Sequence, residues 1–143
     1  MVDFDINELD SAEEGEMTVL VNGKPTDWTW KFAGPAHPKT IAQNNRVSRE
    51  QLAKRRLQEQ AQVNAKKWKA PEQTPEELLQ DNVNFVCERL LGWSPVKMNG
   101  EDFPFSEANA RMLLADRKKG ALLQQAIEFI LDDASFTRRS DKT

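Results

Sequence analysis

Apolar residues at Leu79, Val83, Val86 and Leu90 step by four, three and four, the spacing of one helix face. Thr74-Pro-Glu-Glu opens that helix: Thr74 is a capping residue, Pro75 suits the first helical position, and Glu76 and Glu77 favour its positive end. Gly92 is the expected stop signal. Beyond it come Trp93, an extended piece through Val96 and Met98, an Asn99-Gly100 turn and Phe103-Pro-Phe105. Ser106 then caps a second helix beginning at Glu107, and Leu122, Leu123, Ala126, Ile127, Ile130 and Leu131 mark a third, closed by Phe136. Trp93 and Phe105 are expected to anchor the aromatic loop onto these helices as core residues.

A different period governs the N-terminal third. Met17 to Val21 is apolar and β-branched, Asn22-Gly23 is a strong hairpin signal, and Trp28, Trp30 and Phe32 alternate with Thr29 and Lys31. Three aromatics therefore share one face of a second strand. Pro25 argues for a longer loop or an edge strand. Two strands alone are marginal in water, so the aromatic face needs cover from the helices, a third strand or another chain. Ala33 to Lys39, with two prolines around His37, reads as a stiff connector. Ser48-Arg-Glu-Gln51 fits a capping box opening a helix that runs to Trp68, with a thin apolar seam of Leu57, Ala61, Ala65 and Trp68. The expected fold is α+β, mainly α: a small N-terminal β-hairpin, one long basic helix and a C-terminal three-helix unit with an aromatic loop. The expected division is a disordered acidic arm over 1–15, hairpin and Pro-rich connector over 16–47, the basic helix over 48–70, the helical unit over 74–136 and a polar tail over 137–143.

Charge sharpens this division. The chain has 143 residues and a net charge of −3, yet residues 1–16 carry seven acidic side chains and no basic one. Residues 46–69 carry eight basic side chains against Glu50 and Glu59. A chain so divided can pair with itself or with a partner of the opposite pattern. The arm reads first as a solvated tail, and Phe4, Ile6 and Leu9 among its acids offer the alternative of a short motif that binds a partner. Cys87 is the single cysteine and forms no internal disulfide, as expected in a reducing compartment. With no apolar run long enough for a membrane helix and no signal-peptide pattern, the expectation is a soluble cytoplasmic protein.

Candidate chemistry is sparse. One His and one Cys cannot by themselves build a zinc site or a nucleophilic pair, and the scattered glycines form no phosphate loop. Asp132-Asp133 and Glu101-Asp102 are carboxylate pairs with no histidine beside them. The expectation is a protein that is not an enzyme and uses no metal or cofactor. The residues offered for protein binding are Trp28, Trp30 and Phe32 on the hairpin and Leu57, Ala61 and Trp68 on the long helix. The rival reading is nucleic-acid binding through the basic helix at 46–69, by phosphate neutralisation. Against it, Lys54, Arg55 and Arg56 fan around the helix rather than sharing a face, and the sequence pI is about 5.3.

Gly92-Trp93, the short loop, Phe105-Ser-Glu-Ala-Asn-Ala-Arg-Met-Leu-Leu-Ala-Asp116 and the closing Glu128-Phe-Ile-Leu-Asp-Asp-Ala-Ser-Phe136 resemble the tail assembly chaperones of long-tailed bacteriophages. The likeness covers roughly 45 residues, and the Leu79–Leu91 helix and the 17–32 strand region fit beside it. Asp116-Arg-Lys-Lys-Gly120 departs from it, being more basic and lacking an aromatic where such proteins often carry Asp-Pro followed by aromatics. The resemblance implies a non-enzymatic protein of the host cytoplasm that coats the aggregation-prone tape measure protein and delivers it to polymerising tail tube protein. Self-association around the client, no membrane contact and no nucleic acid complete the expectation.

Overall fold

The computed structural model describes Ile6 and residues 12–64 and 72–136. Most of the expected acidic arm and the whole polar tail over 137–143 lie outside the described residues. Two strands, β1 (Glu14–Val21) and β2 (Lys24–Ala33), form an antiparallel hairpin. Its turn is the two-residue Asn22-Gly23, with φ of 53° and 79°, a pair of left-handed residues matched to the twist of the strands. Pro25 does not lengthen the loop: Leu20 pairs with Pro25 and Val21 with Lys24, and the irregularity falls between Thr18 and Leu20 as a shift of register. The strand begins inside the expected acidic arm, because Gly34 donates to the Glu13 carbonyl and Ala12 donates to the Phe136 carbonyl. A side chain at Gly34 would collide with the Ala12 carbonyl oxygen, so this crossing of backbones requires glycine.

The first helix, α1 (Pro38–Val63), starts ten residues before the expected Ser48. His37 is its N-cap, extended at φ −68° and ψ 141°, with Nδ1 accepting from the Lys39 N–H, and Pro38 fills the first helical position. The stretch from Pro38 to residue 47, expected to lie before the helix, is therefore part of it, and Ser48 lies within the helix with its capping box unused. The early turns are anchored: Thr40 and Gln43 are buried, and Gln43 Nε2 donates to the Phe85 carbonyl and to Glu88 Oε1. Residues 65–70 of the expected helix lie outside the described residues.

The second helix, α2 (Pro75–Arg89), starts at the expected Thr74 cap, and Glu77 turns that cap into a full capping box by accepting from the Thr74 N–H. It stops earlier than expected, at Leu90 rather than near Gly92. Leu90 instead opens β3 (Leu90–Trp93), which pairs antiparallel with β2, Trp30 opposite Trp93. The sheet order is β1-β2-β3. A miniature hairpin follows, β4 (Lys97–Met98) and β5 (Glu101–Asp102), turning at Asn99-Gly100. Helix α3 (Glu107–Ala115) starts at the Ser106 cap, and α4 (Gly120–Leu131) follows a short 3-10 turn held by Asp116.

One face of the sheet carries Met17, Val19, Trp30 and Phe32, and the three C-terminal helices cover it with Val83, Val86, Leu113, Leu114, Leu123, Ala126 and Ile130. Trp30 and Phe32 have no exposed surface. The fold is α+β and mainly α, as the hydrophobic pattern predicts. Arg89 is buried in this core and pairs with no carboxylate among the described residues. Its Nε and Nη2 both donate to the Ala33 carbonyl, and its guanidinium lies 5.6 Å from the centre of the Phe136 ring.

Candidate functional site

The aromatic residues expected to bind a partner are mostly inside. Trp30 and Phe32 belong to the core and cannot meet a partner, because the helices cover the face they share and the Trp93 ring packs against Trp30. Trp28 is half-buried, packed edge-on to Trp30 at 5.3 Å and to Trp93 at 5.5 Å between ring centres. The indole N–H groups of Trp28 and Trp30 are buried without an acceptor among the described residues. Trp93 is half-buried, stacks on Phe103 at 10° between planes and donates its indole N–H to the Phe103 carbonyl. Phe105 stands edge-on to Trp93 and is 37% exposed, a lid on the loop and not a core residue.

On α1, Leu57 is exposed at 58% and Ala61 is half-buried, while Trp68 lies outside the described residues. Leu52 and Val63 point away from the Leu57–Ala61 stripe at about 100° per residue, so the described outer half presents no continuous apolar face. The structure therefore keeps Trp28 near the surface, hides Trp30 and Phe32, and places Leu57 and Ala61 on a separate, projecting helix.

A concavity that the sequence does not announce lies at the turn end of the hairpin. It has a volume of about 550 Å³, within the range of ligand pockets, and is walled by Val19, Val21, Trp28, Met98, Phe103, Leu113 and Leu122. Three separate segments make it. The β1–β2 turn with Trp28 supplies one wall, the β4 hairpin with Phe103 a second, and Leu113 of α3, the 3-10 turn after it and the start of α4 the third. Thr26 Oγ1 fixes the hairpin wall by donating to the Val19 carbonyl and accepting from the Trp28 N–H. At the back, the Gln125 side-chain amide accepts from the Leu20 N–H at 2.8 Å and donates to the Leu20 carbonyl at 2.9 Å.

Among the described residues the lining holds Lys97, Lys118 and Lys119 and no carboxylate, in a protein of net negative charge. Lys119 pairs with Asp116 at 3.0 Å, and the hydrogen bonds from Lys119 and from the Lys118 backbone hold the Asp116 carboxyl below its usual pKa. Lys97 and Lys118 make no ion pair among the described residues. The only sequence signal for this site is two short juxtapositions of lysine and apolar residues, Val96-Lys97-Met98 and Lys118-Lys119 ahead of Leu122-Leu123.

A second cleft, between α1 and α2, is polar and already satisfied. Arg46 bridges Glu88 at 2.5 Å and Glu50 at 3.0 Å, and these hydrogen bonds raise its pKa further. Arg111 donates to Asn84 and pairs with Glu107 at 3.2 Å. Among the described residues no group of three or more His, Cys, Asp or Glu side chains could hold a metal ion. No described helix is long and apolar enough to cross a membrane.

Comparison with known proteins adds no relative: no family model, no curated protein and no solved structure matches the chain.

Proposed function

We propose that the protein is a tail assembly chaperone of a long-tailed bacteriophage, a non-enzymatic binding protein of the host cytoplasm. Its client is the tape measure protein, whose apolar helical stretches it keeps soluble and presents to polymerising tail tube protein. The observation that carries this reading is the open cavity at the hairpin end. Its apolar walls can receive side chains of a client helix, its mouth carries exposed lysines, and among the described residues its lining contains no histidine, cysteine or carboxylate to perform chemistry. Among the residues behind the sequence resemblance, Leu113 lines the cavity, and the others hold the helix that carries it. Ser106 caps α3, Asn109 Nδ2 donates to the Pro104 carbonyl, and Ala110, Leu113 and Leu114 are buried.

Co-expression with the tape measure protein tests the proposal. A soluble complex that survives size exclusion at moderate salt is expected, and Leu122→Glu in the cavity wall should abolish it. A client that stays insoluble, with no complex, sinks it. The exposed basic residues Arg49, Lys54, Arg55 and Arg56 on α1 favour a second reading, nucleic-acid binding, which would show as duplex or single-strand affinity falling steeply with salt.

A further inference from the structure

We infer that the cavity at the hairpin end is a socket for the acidic N-terminal segment of a second copy of this chain. The socket asks for a ligand that is apolar on one side and anionic on the other. Its walls are aliphatic and aromatic, its mouth carries three lysines, and among the described residues two of these have no ion-pair partner and no carboxylate lines it. The chain itself contains such a segment. Val2-Asp-Phe-Asp-Ile-Asn-Glu-Leu-Asp10 has four acids and no base. Extended, it would turn Val2, Phe4 and Ile6 to one side and Asp3 and Asp5 to the other, since side chains alternate along a strand.

Geometry selects a second copy over the same one. The Ala12 N–H is bonded to the Phe136 carbonyl, at the end of β1 opposite the cavity. From Ala12 to Leu20, at the cavity wall, the chain runs about 26 Å at ~3.3 Å per residue. Leu9 reaches about 10 Å from Ala12 and Ile6 about 20 Å, so neither spans that distance. Phe4 reaches about 28 Å only with every intervening residue fully stretched and Val2 about 35 Å, so the same chain could lay at most its first residues on the wall and leaves Ile6 short of it, whereas a second copy can seat all three. Ile6 is in fact 74% exposed in the single chain. In another copy no tether limits the approach. Because the segment joins the strand at Ala12, at the end opposite the socket, the contact is head-to-tail, and it closes into a ring, propagates, or closes as a reciprocal exchange between two chains. The inference rests on the cavity and the segment alone, whatever client the cavity serves.

Full-length variants test it without any client. A segment variant carries Phe4→Asp with Ile6→Asp and keeps the socket. A socket variant carries Lys97→Glu with Lys118→Glu and keeps the segment. The wild type should run larger than its 16.3 kDa monomer at about 0.1 mM, a concentration at which even a weak contact of ~10 µM is mostly formed. Each variant alone should be monomeric, with an unchanged far-ultraviolet circular dichroism spectrum that shows the fold intact. Leu122→Trp, which fills the cavity with an apolar group and changes no charge, should also be monomeric. Mixing the segment variant with the socket variant restores one matched pair, the intact segment of one entering the intact socket of the other. That mixture should give a 1:1 complex with altered tryptophan emission, dissolved by high salt. A monomeric wild type, association that survives Phe4→Asp with Ile6→Asp, or a mixture of segment and socket variants that stays monomeric would overturn the inference.

Discussion

Arg89 shows how much one buried side chain organises. Three chain segments meet at it: α2 carries it, β2 ends at the Ala33 carbonyl that accepts two of its N–H groups, and Phe136 closes over its face. Desolvation lowers its pKa, so its charge is held by one carbonyl and one ring. Arg89→Ala should cost about 2 to 3 kcal/mol, the scale of lost hydrogen bonds to a charged group. Arg89→Lys should recover only part of that, because an ammonium cannot reproduce the fork. Denaturant midpoints of the two variants check the order, and equal midpoints would remove the fork from the account. Trp93 offers a second separation. Trp93→Phe keeps an aromatic surface against Phe103 but loses the indole bond to its carbonyl, an expected loss of about 1 kcal/mol, while Trp93→Ala should cost about 3 kcal/mol or more. Cys87 is half-buried, and desolvation raises its pKa above the ordinary 9.0. Its neutral form is the one the fold favours, so its contribution is complete below pH 9.0 and is lost as pH rises from there through the folded value. Stability measured against pH should therefore decline more steeply above 9.0 in the wild type than in Cys87→Ala. Parallel curves would contradict this.

Among the elements, those whose signals are local are legible in the sequence. The two Asn-Gly turns, the Thr74 cap and the Ser106 cap each lie a few residues from the bonds they make, and each is found where expected. The start of α1 is not legible, because Ser48-Arg-Glu-Gln reads as a capping box wherever it falls, while His37-Pro38 reads as a breaker although it is the cap. Strand β3 looks like a helix stop because its partner, β2, lies about 60 residues away in sequence. The cavity is invisible for the same reason, being assembled from three distant segments. The β1 edge gives an element-scale prediction. Gln125 presents to Leu20 the donor and acceptor that a neighbouring strand would present, and so closes an edge that would otherwise invite pairing. Gln125→Ala should cost only about 0.5 to 1.5 kcal/mol, since Leu20 is 40% exposed and water replaces the amide. Its larger effect should be concentration-dependent association of the opened edge beyond that of the wild type, read by light scattering. A variant that associates no more than the wild type would show that the edge needs no guard.

At the scale of the whole molecule the protein is a packed body with one helix leaving it. The body comprises the sheet, α2, α3, α4 and the first turns of α1, joined through Gln43, Arg46 and Glu88. From Gln51 to Val63 every residue of α1 except Ala61 is exposed. That stretch extends about 20 Å at ~1.5 Å per residue. An isolated helix of this length is marginal in water, because nucleation is costly and no burial repays it. The outer half of α1 should therefore open locally at far lower free energy than the body unfolds. Native-state hydrogen exchange separates the two: amides of β2, α2 and α4 should exchange only through global unfolding, and amides from about Leu52 onward should exchange orders of magnitude faster. Leu57→Ala, at a position 58% exposed, should leave the stability within about 0.5 kcal/mol of the wild type. Protection of residues 52–63 equal to that of the body would mean that a surface of another molecule covers them, and the picture of a free projecting helix would fall.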